Sequence, residues 1–111
     1  MKLLRVGEVG NEIVAALDNG NKIRDLSNHI KDLNPQTLND ETLNRLKKID
    51  LTKLSEIKSS IRIGPCISNP VDFLAIGLNY KAHAEGTKSK LPTEPIVFNK
   101  SSGCIQGPND P

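Results

Sequence analysis

Phe73 to Pro111 reads FLAIGLNYKAHAEGTKSKLPTEPIVFNKSSGCIQGPNDP, and this segment decides how the chain is understood. An apolar run, Phe73, Leu74, Ala75 and Ile76, stops at Gly77 and gives way to Asn79, Tyr80 and His83. A second run, Ile96, Val97 and Phe98, ends in Asn99 and Lys100. The first run predicts a central strand over 71–78 and the second a strand over 95–98, with a further short strand over 104–106. Polar groups gathered where strands end are well placed to meet a ligand, because the strands fix them while the loops leave them accessible. Between the strands, 81–85 predicts one helical turn ended by Gly86 and Thr87. Lys88 to Thr93 is polar and Pro92 and Pro95 flank Thr93-Glu94, which predicts a loop.

Working back toward the N-terminus, Gly64-Pro65 and Asn69-Pro70 bracket the clearest boundary in the chain. The expected organisation is a small β-rich domain over 1–65, a linker over 66–70, and the start of a second domain over 71–111. In the first domain, LLRV at 3–6 and EIVAAL at 12–17 predict two strands. Asn19-Gly20 predicts a hairpin turn with positive φ at both residues, returning as a third strand over 22–24. A short helical turn is expected over 28–33, closed by Asn34-Pro35. Asn39 or Asp40 can cap a helix through Ile49, with Leu43, Leu46 and Ile49 on one side. Leu51, Leu54 and Ile57 continue that spacing, with Asp50 or Thr52 as a second cap. The fold class expected is therefore mainly β with short helices (α+β).

The chain has 111 residues, 15 basic and 13 acidic, and a formal net charge of +2; 36% are hydrophobic and 3% aromatic. The apolar supply is thin for a self-sufficient core, so burial is expected to depend on further chain or a partner. The lysines are scattered rather than striped, which argues against a nucleic-acid partner. No run approaches the roughly 20 apolar residues that a membrane span needs, and Arg5 and Glu8 interrupt the N-terminus where a signal peptide would be apolar. Cys66 and Cys104 lack a framework of partners and read as reduced thiols of a cytoplasmic protein.

His83 is the leading chemical candidate, because a neutral imidazole near pH 7 can take or give a proton. A solvated histidine on a short lid fits the same residues equally well. Glu85 could orient it if the backbone there is irregular, since residues two apart on a regular helix point to different sides. Asn79 and Tyr80 could hydrogen-bond a carboxylate or carbonyl; turn chemistry for Asn79 and core packing for Tyr80 are the plainer alternatives. Lys100 could hold a carboxylate or simply be solvated, and Ser102 lies in a flexible Ser-Ser-Gly stretch. His29 reads as a surface residue. Cys66, His83, Cys104 and His29 lack the close pairs of a zinc site, so no metal is assigned to them.

Taken together, GLNY with the following HA, the EPIVF strand and GPNDP resemble the start of the catalytic domain in the fumarylacetoacetate hydrolase family, including its 2-hydroxyhepta-2,4-diene-1,7-dioate isomerase-like members. KLLRVG, IRDLS and RIGPCI upstream are similar to that family's N-terminal domain, so the likeness covers the chain. It implies that 71–111 supplies the first strands of a fumarylacetoacetase-type mixed β-sandwich roll. It implies an enzyme acting on small 2-oxo or enol carboxylic acids by carbon–carbon bond hydrolysis, isomerisation or decarboxylation, with Mg2+ (or Mn2+ or Ca2+) holding the oxo-acid end, and a homodimer when full length. By the same resemblance His83 is the acid–base histidine, Lys100 helps to form the pocket, and Asn79 and Tyr80 match the turn that supports it; Ser102 is a candidate substrate contact through its hydroxyl alone.

Two departures qualify it. The family's glutamate three residues after the histidine is replaced by Gly86, with Glu85 one position early. The family's metal carboxylates, a Glu-x-Glu pair and a later Asp, have no counterpart here. The 111-residue chain is accordingly expected to be a fragment that is inactive by itself. The alternative is a truncated, non-catalytic remnant serving as a small protein-interaction domain.

Overall fold

A computed structural model describes Met1–Pro111. The protein is mainly β, with two antiparallel sheets and a few short helices, and none of its helices is long and apolar enough to cross a membrane. It divides into two compact units, one formed by Met1–Pro70 with Ile105–Pro111 and the other by Val71–Cys104.

The first unit is built on four strands in the order β1-β2-β3-β4: β1 (Lys2–Val6), β2 (Ile13–Leu17), β3 (Ile23–Asp25) and β4 (Glu56–Ile57). Pairing is antiparallel throughout, with Leu3 opposite Ala16 and Ala16 opposite Arg24. β2 lies inside the sheet, and its sequence IVAAL is a continuous apolar run, as an interior strand covered on both faces requires. One face, carrying Val14 and Ala16, packs against Leu26, Ile30, Leu33 and Leu46. The other, carrying Val6, Ala15 and Ile23, meets Ile57, Ile61 and Ile63. Leu46 belongs to α1 (Asp40–Lys47), whose amide at Thr42 is capped by the Asn39 side chain.

Three expectations fail in this unit for local reasons. The β2–β3 turn is not the two-residue Asn-Gly form; the left-handed residue is Asn21, at φ 59°. The Asp18 carboxylate accepts from the amides of Gly20 and Lys22, which lengthens the loop by satisfying two donors at once. The expected helical turn over 28–33 is one turn closed by His29 and Ile30 amides on the Leu26 carbonyl, and Asn34 opens a new turn through its side chain. The Leu51, Leu54, Ile57 spacing is not helical throughout: a 3-10 turn capped by Asp50 covers Leu51–Lys53, and Ile57 is in β4, where it pairs with Ile23. The segment 66–70 belongs to the first unit, where Ser68 is buried and its amide and hydroxyl both donate to the Leu33 carbonyl.

The second unit is a two-stranded sheet, β5 (Phe73–Gly77) with β6 (Ile96–Lys100), joined through α2 (Lys81–Gly86). Phe73 lies opposite Lys100, and Gly77 opposite Ile96. β5 is not central; it has a partner on one side only, and every residue of β6 is exposed. Cys104 ends a 3-10 turn, Ser102–Cys104, instead of starting a strand. Residues 105–111 return to the first unit, where Gly107 is buried against the Ile63 carbonyl.

Candidate functional site

The charged residues of the first unit form a network that no single stretch of sequence displays. Arg5 is 7% exposed in the middle of β1, and its guanidinium donates to Asp32 at 2.6 and 3.3 Å and to Glu12 at 3.4 Å. Glu12 also accepts from Arg62 at 2.8 Å, and Arg62 makes a two-pronged pair with Asp110 at 2.8 and 2.6 Å. Burial alone would raise the Glu12 pKa, but the hydrogen bond from Arg62 and the charges of Arg5 and Arg62 bring it below the ordinary carboxylate value. For Asp32, burial is likewise outweighed by the hydrogen bond from Arg5, and the pKa is lowered. Arg62 lowers that of Asp110, and Asp110 and Glu12 together raise that of Arg62. Every member is spent on another, so this network is structural.

The chemistry-bearing residues of the second unit stand differently. β5 ends at Gly77, and Leu78 turns the chain with φ 48°, a left-handed conformation rare for a bulky residue. Tyr80 occupies the N-cap of α2 without making a side-chain cap. It is 75% exposed. His83 lies in the middle of α2 and is exposed; its amide donates to the Tyr80 carbonyl, and its carbonyl accepts from Thr87. Glu85 faces Lys81, at 3.8 Å across one turn, and the regular helix turns Glu85 and His83 to different sides.

An open cleft of about 450 Å³ lies within this unit, lined by the end of β5, by Leu78 and Asn79, by Lys81 and by Leu91–Pro95. Asn79 thus reaches the cleft, whereas Tyr80, His83, Glu85, Lys100 and Ser102 do not line it. Lys100 instead lies over the Phe98 ring at 5.4 Å, and Ser102 is exposed in its 3-10 turn. Lys81, Thr93 and Glu94 were not singled out by residue type. The one signal for the last two is the pair of prolines, Pro92 and Pro95, that hold them at the rim.

No group of three His, Cys, Asp or Glu side chains could hold a metal ion, and Cys66 and Cys104 are both free and exposed. The residues present therefore do not fit the divalent cation that the resemblance implies.

No family model matches the chain. It is 44% identical over 110 residues to proteins from Burkholderia orbicola, Burkholderia cenocepacia and Burkholderia multivorans, each named "Putative hydrolase". The match takes in 99% of this chain and 39% of each relative, so the chain spans about two-fifths of the length of the curated relatives it matches.

Proposed function

We propose that this chain is the N-terminal portion of a hydrolase of the fumarylacetoacetate hydrolase type, acting on a small 2-oxo or enol carboxylic acid. What supports a hydrolase is the identity of 44% to relatives that carry that name, sustained over 99% of the chain. The family and substrate class rest on the residues quoted above, GLNY, HA, EPIVF and GPNDP. In this reading His83 is the acid–base group. Its imidazole is exposed and makes no hydrogen bond within the chain, so it is free to accept a proton from water and return it to the departing carbon. Asn79, at the cleft, would hydrogen-bond the oxo-acid end; Lys100, over Phe98 at the opposite end of the hairpin, would reach its carboxylate only after a rearrangement in the longer protein. Glu85, engaged by Lys81, contributes only after leaving that exposed pair, which is worth little and breaks easily. Mg2+, if the complete enzyme uses it, would be held by residues outside this chain, and pairing into a homodimer would belong to that longer protein.

The test is a chimera in which these 111 residues replace the matched part of the Burkholderia multivorans relative, assayed for hydrolysis of a series of 2-oxo acids. His83→Ala is expected to lower kcat by roughly 10²- to 10⁴-fold, the usual contribution of a positioned acid–base group. Wild-type turnover in that variant would overturn the assignment. The non-catalytic interaction domain remains the second reading, favoured by the exposed apolar strands of the second unit.

A further inference from the structure

A carboxylate held at the cleft needs a cation there, and the register of the hairpin decides which lysine can supply it. The cleft lies beside Pro95, at the end where Gly77 pairs with Ile96, whereas Lys100 pairs with Phe73 at the other end. The run from Ile96 to Lys100 spans about 13 Å at the rise of an antiparallel strand. Lys81, the first residue of α2, is the cation that lines the cleft. The left-handed turn at Leu78 brings it there together with Asn79.

The rest of the lining suits a small anion with a short apolar body. Leu78, Leu91 and the two prolines supply apolar wall, Asn79 supplies an amide, and about 450 Å³ is an ordinary volume for a small-molecule site. Glu94, in the 91–95 loop, is the anion of the lining, so a carboxylate is drawn toward α2 and away from that loop. Lys81 is barely committed elsewhere. Its ion pair with Glu85, at 3.8 Å across one turn, joins two exposed side chains and is worth little. A ligand carboxylate taking the place of Glu85 would also accept from the Asn79 amide, so two donors converge on it where Glu85 has one.

We propose that Lys81, together with Asn79, binds the substrate's carboxylate, and that this exchange of partners releases Glu85. The inference rests on the reading of the cleft as the oxo-acid site, but not on proton transfer by His83.

The experiment titrates the isotope-labelled 111-residue chain at low ionic strength with 2-oxobutanoate and with its uncharged counterpart 2-oxobutanamide, reading backbone amide shifts by NMR. Saturable shifts are expected at Asn79, Lys81 and Glu94. Lys81→Met should weaken 2-oxobutanoate at least ~5-fold while moving 2-oxobutanamide less than ~2-fold. Glu85→Gln should tighten 2-oxobutanoate, by up to ~2-fold, because the competing pair is gone. Lys31→Met, at an exposed site in the first unit, removes the same charge and should have no effect. Shifts outside α2 that match wild type show that each variant is folded. The proposal is overturned by absence of saturable shifts at the cleft, by 2-oxobutanoate binding indifferent to Lys81→Met, or by an equal loss from Lys31→Met or Lys100→Met. The chimera separates the two readings. Turnover with a KM indifferent to Lys81→Met would sink this inference alone, and Lys81-dependent binding without turnover would sink the acid–base assignment alone.

Discussion

Replacing Arg5 by Met tests what holds the first unit together. Methionine keeps the apolar stem against Val14 and removes only the guanidinium, so the loss is electrostatic more than steric. Arg5 makes bonds of 2.6 and 3.3 Å to Asp32, 3.4 Å to Glu12 and 3.4 Å to the Pro65 carbonyl. Breaking a buried pair from one side costs about 3–5 kcal/mol, because the partner is left buried and uncompensated. Here Glu12 retains Arg62 and the Gly10 amide, and the Asp32 side chain is 26% exposed and retains the Leu33 amide. Water and these surviving donors reduce the expected cost to about 2–4 kcal/mol. With a urea m-value of roughly 1.5 kcal/mol/M for a domain of this size, the midpoint should fall by roughly 1.3–2.7 M.

Two controls discriminate. Arg5→Met/Asp32→Asn should recover at least about 1 kcal/mol, since it removes the stranded charge. The pH dependence should also flatten. Glu12 and Asp32 have lowered pKa values in the folded protein, so their contribution is complete above their ordinary values of 4.5 and 3.8 and is lost as pH falls through the folded values. With Arg5 gone, less is left to lose on acidification. A midpoint shift under about 0.3 M, or no recovery in the double variant, would refute the reasoning.

Three further outcomes are expected. Leu46→Ala, at a fully buried α1 position packed against Leu26 and Leu33, should destabilise the chain by about 2–5 kcal/mol in urea unfolding. Asn39→Ala removes the acceptor for the Thr42 amide and should cost about 1 kcal/mol, read as a shift in melting temperature, with Asn39→Asp close to wild type. Gly107→Ala would drive a methyl group into the Ile63 carbonyl, costing about 1–3 kcal/mol and loosening the 105–111 segment, with faster amide exchange at Asp110 as the readout.

How much of this was legible depends on the distance over which each feature is decided. β1 and β2 follow from runs of LLRV and IVAAL that are complete in five residues, and α1 follows from its cap and its leucine spacing. β4 was missed because two residues carry no period, and because Leu51, Leu54 and Ile57 imitate a helical stripe. The network of Arg5, Glu12, Asp32, Arg62 and Asp110 joins positions up to 60 residues apart counting Pro65, so no local pattern could disclose it. One trace was present: Arg5 interrupts an otherwise apolar strand, and a charge placed there needs partners from elsewhere. In the second unit, His83 and Asn79 were readable as exposed polar groups after a strand, but their separation was not, because the helical phase of α2 and the turn at Leu78 decide which of them reaches the cleft.

The second unit also shows where hydrophobic pattern and observed burial come apart. FLAIG and IVF read as interior strands, and in secondary structure they are strands, paired in a single register. Yet six of their large apolar side chains are 38–59% exposed, while equally apolar β2 is closed off almost completely. The hydrophobic effect rewards burial wherever the covering atoms come from, so a strand's composition records the surroundings in which it is buried, not the length of chain that carries it. On that argument the sequence of β5–β6 describes two covering layers that the 111 residues do not contain. If those layers are supplied, the same register should persist while exposure drops on both faces at once. Should only one face become protected, the hairpin would lie in the outer layer of its surroundings, and the second covering layer inferred from its composition would be wrong.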